Sequence, residues 1–265
     1  MTTKVKQPHV LVTNDDGIDS AFLHRLVNAL TPHFRVSVAA PATEQSWIGR
    51  AVSRHRDVTA TVDTTTFSES VQAWAIHGTP TDCVNIALGN LLARLPDIVV
   101  SGINIGYNTT ETLILSSGTI AGAIEGALWD LPAIAFSQYV PGSIFEQIQK
   151  NNGHCEGPFE KALLDAAEQA AQITVHTLEN PPTKSTLLNI NFPAETSRAT
   201  TIKDTFPAKI QLGSLYEEAS PGIYRFRYTE GILLESDPNS DRTALEQGFI
   251  SRSLLNFSNI GTRNK

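Results

Sequence analysis

The chain has 265 residues and a formal net charge of −7 at pH 7, with 41% hydrophobic and 18% charged residues. This composition is typical of a globular protein, and the negative balance argues against a nucleic-acid-binding surface, which needs a basic footprint. Two cysteines far apart in sequence, no basic leader and no apolar run of bilayer-spanning length favour a cytoplasmic protein outside the membrane.

The most informative segment lies near the start of the chain. Residues 9–13 form an apolar run that predicts a buried strand, and the turn 14–17 (Asn-Asp-Asp-Gly) follows it, with a glycine free to adopt positive φ. A helical pattern over 20–30 comes next. Asp15 and Asp16 therefore lie at the carboxyl end of a strand, where open α/β sheets bind ligands. Adjacent anions favour a cation beside them, and a solvated turn is the alternative.

The first half of the chain alternates between strand and helix patterns, which predicts parallel βαβ units with helices covering the sheet. Strands are predicted at 9–13, 35–40, 97–101 and 133–137, and helices at 20–30, 81–95, 119–129 and 158–173. The Thr-rich segment 50–73 is expected to form a hairpin or an excursion over the sheet. The polar segment 141–157 is expected to be a loop.

The pattern changes after residue 174. Segment 187–192 predicts another strand, and alternating runs within 205–253 predict antiparallel hairpins. Regions of this kind often project from a core and pair with another subunit. We therefore expect an α/β core over residues 1–200 and a C-terminal hairpin region over residues 201–265.

Four polar segments fall where predicted strands end or a helix begins, so a parallel sheet would bring them to one edge. They are 14–17 (Asn-Asp-Asp-Gly), 41–46 (Pro-Ala-Thr-Glu-Gln-Ser), 101–106 (Ser-Gly-Ile-Asn-Ile-Gly) and 116–119 (Ser-Ser-Gly-Thr). The first three offer an all-oxygen ligand set suited to Mg²⁺ or Mn²⁺: Asp15, Asp16, Ser46 and Asn104.

The fourth segment opens a helix of small residues. Free N–H groups and the positive end of the helix dipole at Ser117, Gly118 and Thr119 would form an anion site. A metal site beside a phosphate site indicates phosphoryl chemistry.

Each of these residues also has a structural interpretation. Ser46 has the features of a loop or cap serine, Asn104 of a turn asparagine, and Ser117 and Thr119 of helix caps. His77 precedes a predicted helix start. It is either a structural histidine or a general acid or base. Glu44 and Glu125 are expected to face solvent or to support the site. The joint occurrence at strand ends favours the chemical interpretation.

Taken together, these segments resemble the SurE (survival protein E) family of metal-dependent nucleotidases. The resemblance rests on 12–18 (Val-Thr-Asn-Asp-Asp-Gly-Ile), Ala40-Pro41 with Gln45-Ser46, 77–84 (His-Gly-Thr-Pro-Thr-Asp-Cys-Val), 96–104 (Pro-Asp-Ile-Val-Val-Ser-Gly-Ile-Asn), 117–119 (Ser-Gly-Thr) and 189–193 (Asn-Ile-Asn-Phe-Pro). Ser240-Asp241 and 248–251 (Gly-Phe-Ile-Ser) add a weaker match, so the resemblance runs nearly end to end.

The resemblance implies a Rossmann-like α/β/α core with a C-terminal region that exchanges elements in a homodimer or homotetramer. It implies hydrolysis of nucleoside 5′- and 3′-monophosphates with one divalent cation per subunit, Mg²⁺ or Mn²⁺, with Ca²⁺ as a possible occupant. Asp15, Asp16, Ser46 and Asn104 would bind the metal, with Asp15, Asp16 and Asn104 catalytic. The residues expected around the phosphate are Asn14, Ser117, Gly118 and Thr119.

The chain departs from the family pattern in three places. Trp47 stands where the family usually has glycine, the segment 108–119 lacks the family's Gly, Asp and Tyr, and 251–255 (Ser-Arg-Ser-Leu-Leu) replaces Ser-x-Thr-Pro-Leu. Trp47 would either stack on a base or block its approach. Two other functions therefore stay open: a phosphatase for other small esters or short polyphosphate, and a nucleotide-binding protein without turnover.

Overall fold

The computed structural model describes residues 7–257. Within them the strands are β1 (His9–Thr13), β2 (Arg35–Pro41), β3 (Ala60–Asp63), β4 (Gln72–Ile76), β5 (Ile98–Ile105), β6 (Ala133–Gln138), β7 (Thr186–Phe192), β8 (Ile202–Thr205), β9 (Ile210–Gln211), β10 (Tyr216–Ser220), β11 (Ile223–Phe226), β12 (Ile232–Leu233) and β13 (Ile250–Asn256). The α-helices are α1 (Ala21–Leu30), α2 (Pro80–Ile86), α3 (Thr110–Ser116), α4 (Gly118–Leu128), α5 (Gly142–Lys150), α6 (Gly157–Glu179) and α7 (Asp241–Glu246). A π-helical turn, Ala87–Leu91, continues α2.

The main sheet of the described residues has nine strands in the order β3-β4-β2-β1-β5-β6-β7-β13-β8. The strands from β4 to β7 run parallel to one another. β3 is antiparallel to β4 at one edge, and β13 is antiparallel to β7 near the other. The predicted α/β class with a mostly parallel sheet is confirmed.

Helices cover both faces of this sheet. Side chains of β1 alternate between them: Val10 and Val12 belong to the core under α1 and α6, whereas Leu11 belongs to the core under α2. Burial on both faces explains why the central strands are almost continuously apolar in sequence. The molecule therefore has the three-layer arrangement that the sequence led us to expect.

Most predicted elements of the first half agree with the structure to within a few residues. For segment 50–73 a hairpin or an excursion over the sheet was expected, and the structure agrees with the hairpin, because β3 pairs antiparallel with β4, which extends beyond the segment to Ile76. The loop expected over 141–157 is wrong, because α5 occupies its first half. Ile148 of α5 is buried in the core, and Ile144 and Phe145 pack against it, so tertiary contacts stabilise a helix of mixed composition.

Antiparallel hairpins are present in the C-terminal region, as predicted. β10 pairs with β11, and β9 pairs with β12. The region also returns to the main sheet, since β13 lies between β7 and β8. Among residues 7–257, no helix combines the length and apolar character that crossing a bilayer requires.

Candidate active site at the carboxyl edge of the sheet

A cavity of about 590 Å³ lies at the carboxyl ends of the central strands. Its lining includes Asp15, Asp16, Ser46, Asn104 and Ser117. The four polar segments identified in the sequence therefore each contribute to one cavity, as parallel strand order requires. The volume is in the range of small-molecule sites.

The turn after β1 is held in place by the loop after β2. Gly17 has φ of +98°, a backbone conformation that favours glycine, so the predicted turn geometry is confirmed. The backbone N–H of Gln45 donates to the carbonyl oxygen of Asp15 at 2.7 Å. The backbone N–H of Ile105 donates to Oδ2 of Asp16 at 3.0 Å, which links this turn to β5.

The start of α4 packs directly on Asp15. The hydroxyl of Thr119 donates to Oδ1 of Asp15 at 2.5 Å. A Cβ atom on Gly118 would lie 2.7 Å from Cβ of Asp15, so this approach requires glycine. Ser117 caps the helix, because its hydroxyl accepts the N–H of Ile120 at 3.1 Å. The helix N-terminus therefore fixes the orientation of one carboxylate of the pair.

Both carboxyl groups are less acidic than usual. Burial raises the pKa of Asp15 to about 6, although hydrogen bonds from Thr119 act in the opposite direction. Burial and the neighbouring charge of Asp15 raise the pKa of Asp16 well above its ordinary value. Within residues 7–257, no lysine, arginine or histidine lines the cavity. The pair therefore lacks a cationic side chain to balance it.

This donor chemistry fits a hard divalent cation. Two carboxylates, the hydroxyl of Ser46 and the amide of Asn104 supply oxygen ligands, which Mg²⁺ and Mn²⁺ prefer. The described residues contain no metal-binding cluster of three or more His, Cys, Asp or Glu side chains, so Ser46 and Asn104 would complete the ligand set. The Ser46 hydroxyl donates to Oε1 of Glu44 at 2.6 Å, on the rim of the same cavity.

Some candidate residues lie behind the cavity rather than in its lining. Asn14 is fully buried and donates from Nδ2 to the carbonyl of Gly17 at 2.8 Å, while its Oδ1 has no partner. Thr119 is also fully buried against Asp15. His77 is exposed and does not belong to the lining.

Glu125 was expected either to face solvent or to support the site, and its burial excludes the first alternative. Its side chain is buried and lies 2.5 Å from the guanidinium of Arg50. Nδ2 of Asn85 also donates to it at 2.8 Å, and Nε1 of Trp129 donates at 3.3 Å. These partners compensate the burial of its charge and make it a structural residue of α4.

Sequence reasoning missed an aromatic part of the cavity lining. Its members are Trp47, Tyr107, Phe145, Phe226 and Tyr228, which we call the aromatic wall. Trp47 was recognised as unusual, but the alternating segment that contains Phe226 and Tyr228 predicted only a hairpin. No local pattern indicates that this hairpin reaches the cavity.

Comparison with known proteins gives one consistent result. The family model described as Survival protein SurE matches residues 10–212. A protein of Methanosarcina acetivorans named 5′-nucleotidase SurE is 33% identical over 253 residues, which cover 94% of this chain and 91% of the relative. A protein of Thermoanaerobacter sp. strain X514 with the same name is 32% identical over 251 residues, covering 94% and 92%.

A solved structure gives the same picture at the level of the fold. The crystal structure of the SurE protein from Aquifex aeolicus superposes with a TM-score of 0.73 at 26% identity, covering 94% of this chain and 93% of that one. The similarity therefore extends through the C-terminal region as well as the core.

Proposed function

Because the chain belongs to the survival protein SurE family, we propose that it is a divalent-metal-dependent nucleotidase. In this proposal it hydrolyses nucleoside 5′- and 3′-monophosphates to a nucleoside and inorganic phosphate. Two curated relatives named 5′-nucleotidase SurE support the class of enzyme, a phosphoric monoester hydrolase. The observation that carries the proposal is the meeting of Asp15, Asp16, Ser46 and Asn104 in one cavity beside the start of α4.

The proposed metal ligands are the two carboxylates, Ser46 and Asn104, with one Mg²⁺ or Mn²⁺ per subunit. Such an ion supplies Lewis-acid polarisation of the phosphoryl group and lowers the pKa of a water molecule. Thr119 and the backbone N–H of Ile105 orient the two carboxylates, so the ligand geometry is prepared before substrate arrives.

The start of α4 is proposed to bind the phosphate. Ser117 lines the cavity at the helix N-terminus, where the helix dipole favours negative charge. The same dipole would stabilise charge that develops on the phosphoryl oxygens as the ester bond breaks. Asp15 or Asp16 would accept the proton that the attacking water releases, and Asn104 would help to orient the phosphoryl group.

Assembly is part of the proposal. We expect a homodimer or homotetramer formed through the C-terminal hairpin region, residues 201–265. Both strands of the β10–β11 hairpin are exposed along their whole length, so this hairpin buries little apolar surface within one subunit.

A phosphate-release screen tests the function. The purified protein is assayed on nucleoside 5′- and 3′-monophosphates, ribose 5-phosphate, p-nitrophenyl phosphate and tripolyphosphate, with Mg²⁺, with Mn²⁺ and with EDTA. We expect release from nucleotides with either metal and none with EDTA. Undiminished release from a verified metal-free sample would overturn the metal mechanism. If no phosphate were released from any of these compounds, the proposed phosphatase activity would be overturned.

A further inference from the structure

The cavity lining contains two chemically distinct groups of residues. Acidic and polar residues suit the proposed metal and phosphate, but the aromatic wall has no part in that chemistry. An aromatic surface lining a phosphate-ester cavity points to the other half of the substrate. The wall is therefore the place to look for selection among esters.

Trp47 is the central member of the aromatic wall. It directly follows the proposed ligand Ser46, and 39% of its surface is exposed. Its φ is +60°, a left-handed conformation that is strained for a bulky side chain. The backbone thus has a conformation suited to glycine but holds an indole beside the proposed metal site. Strain of this kind persists when surrounding contacts hold the residue in place.

Contacts with the hairpin segment hold the indole without covering it. The ring of Phe226 meets it edge-on, with centroids 5.0 Å apart and an interplanar angle of 64°. The ring of Tyr228 is tilted by 55° at 5.5 Å. Neither ring stacks in parallel on the indole, and Trp47 keeps 39% of its surface exposed in the cavity lining, which leaves indole surface for a flat ligand to contact.

The hairpin segment is itself fastened to the sheet edge. The hydroxyls of Tyr228 and Tyr107 hydrogen-bond to each other at 2.9 Å. The guanidinium of Arg242 lies 4.6 Å from the centroid of the Tyr107 ring, in a cation–π contact. Because these polar groups already have partners, the wall presents mainly ring surface rather than free hydrogen-bonding groups.

We propose that Trp47 is a specificity-determining residue that stacks on the nucleobase and selects purine nucleoside monophosphates. This inference rests on the proposed nucleotidase function and deepens it. A purine has a larger ring surface than a pyrimidine and gains more from stacking. Stacking on an aromatic ring depends little on which purine is bound, so Trp47 should discriminate little between adenine and guanine.

The test compares substrates that share a phosphate but differ in the base. The ratio of kcat/KM for AMP to that for ribose 5-phosphate is measured in wild type, Trp47→Gly, Trp47→Phe and Phe226→Leu. Glycine suits the φ of +60° at this position, so the Trp47→Gly variant should fold. A disturbance of the neighbouring Ser46 affects both substrates and cancels in the ratio.

We expect the AMP ratio to fall roughly 10-fold to 100-fold in Trp47→Gly, as loss of one base–aromatic stack predicts. The ratio should fall less in Trp47→Phe, because a smaller ring remains. In Phe226→Leu the ratio should fall modestly. In wild type, kcat/KM should be higher for AMP and GMP than for CMP and UMP. An unchanged ratio in Trp47→Gly overturns the proposal, and a raised ratio shows instead that Trp47 obstructs the base.

A binding measurement gives an answer independent of turnover. AMP is titrated into metal-free protein while tryptophan fluorescence is followed, with ribose 5-phosphate as the base-free probe. Quenching by AMP should be present in wild type and lost in Trp47→Phe, in which Trp74 and Trp129 remain. Equal quenching in both proteins contradicts the stack. If no ester is hydrolysed but AMP quenches wild type alone, the nucleotidase function fails while base recognition stands.

Discussion

The guanidinium of Arg50 lies 2.5 Å from the buried carboxylate of Glu125. Arg50 belongs to the loop after β2 that carries Ser46, and Glu125 belongs to α4, whose first turn contacts Asp15. The backbone N–H of Gly49 donates to the carbonyl of Ser116, the last residue of α3, at 2.9 Å and adds a link just before α4 begins. The ion pair therefore joins the loop bearing one proposed metal ligand to the helix that orients another.

Arg50→Ala should destabilise the fold by about 1–3 kcal/mol, because it leaves the buried carboxylate of Glu125 without its charged partner. Asn85 and Trp129 still donate to that carboxylate, which limits the loss. Urea unfolding measures the change. The matched double variant Arg50→Ala/Glu125→Gln removes the charge as well and should be more stable than Arg50→Ala. Identical urea midpoints for wild type and Arg50→Ala would show that the pair does not hold the loop.

Gly118→Ala should impair both stability and activity. The new methyl group would lie 2.7 Å from Cβ of Asp15 and 3.0 Å from the carbonyl oxygen of Gln45. Forcing these groups apart costs about 1–3 kcal/mol and moves a proposed metal ligand. Thermal unfolding and phosphate release measure the two effects.

Gly142→Ala is the matched control for this substitution. A Cβ atom at Gly142 would meet nothing within 4 Å. Its stability and activity should therefore stay close to wild type. If Gly118→Ala behaves like Gly142→Ala, close packing of α4 on Asp15 is not required by the site.

Asp15→Asn and Asp16→Asn should each lower phosphate release about 10²-fold or more, because each removes charge from the proposed cation site. Each keeps the shape and an oxygen that can accept the existing hydrogen bond. Without divalent metal, the variants should be as stable as wild type or more stable, since repulsion between two buried carboxylates is relieved. Melting temperatures measured with EDTA and with Mg²⁺ separate the effect of each substitution on the metal-free fold from its effect on metal binding. Near-normal turnover removes the substituted residue from the catalytic set.

The buried strands could be predicted because burial on both faces of a sheet produces a continuous apolar run in the local sequence. Val10, Leu11 and Val12 all face core, so the run is apolar without interruption. The helix α5 left a weaker trace, because Ile144, Phe145 and Ile148 stand among polar residues. Their spacing places these three on one helical face, but the segment is short and mostly polar, so packing against the core is what establishes the helix.

The residues of the candidate site also differ in whether a local sequence pattern indicates them. The acidic turn and Ser46 could be found because each follows a strand, and parallel order brings strand ends together. The contact of Phe226 with Trp47 joins residues from opposite ends of the chain, and no local period encodes it. The burial of Glu125 also depends on a residue distant in sequence, because its charged partner Arg50 lies 75 positions away.

Stability should also depend on pH through Asp241. Its carboxylate accepts backbone N–H groups of Thr110 at 2.8 Å and Ala208 at 2.9 Å, which ties α3 to the C-terminal region. Burial raises its pKa from 3.8 to about 6. The folded state therefore binds this proton more tightly than the unfolded state. The resulting stabilisation is complete below about pH 4 and is lost as the pH rises through 6.

Asp241→Asn removes this titration. Between pH 4.5 and 7.5, the unfolding free energy of wild type should fall by about 2 kcal/mol relative to that of the variant. Asp204→Asn is the control, because its hydrogen bond from Arg252 lowers the pKa of Asp204, so its contribution should be constant over this range. Urea unfolding at four pH values measures both. A difference for Asp241→Asn that does not change with pH contradicts the assignment.

The last prediction concerns assembly. Ile223 and Tyr224 of β11 are 62% and 63% exposed, although their segment is rich in apolar residues. A two-stranded hairpin is marginally stable alone in water, and exchange of such elements between subunits is a common route to dimers. We therefore expect the wild-type protein to sediment as a dimer or larger at micromolar concentration.

The double variant Ile223→Ser/Tyr224→Ser should shift this equilibrium towards monomer, since it removes apolar surface that a partner subunit would cover. Val62→Ser is the matched control, because Val62 is also 62% exposed but lies on β3, an edge strand of the main sheet, whereas β11 belongs to a separate two-stranded sheet. Its sedimentation should match wild type. Sedimentation velocity across a concentration series separates the cases. A monodisperse wild-type monomer, or equal dissociation in the control, would contradict assembly through the hairpin.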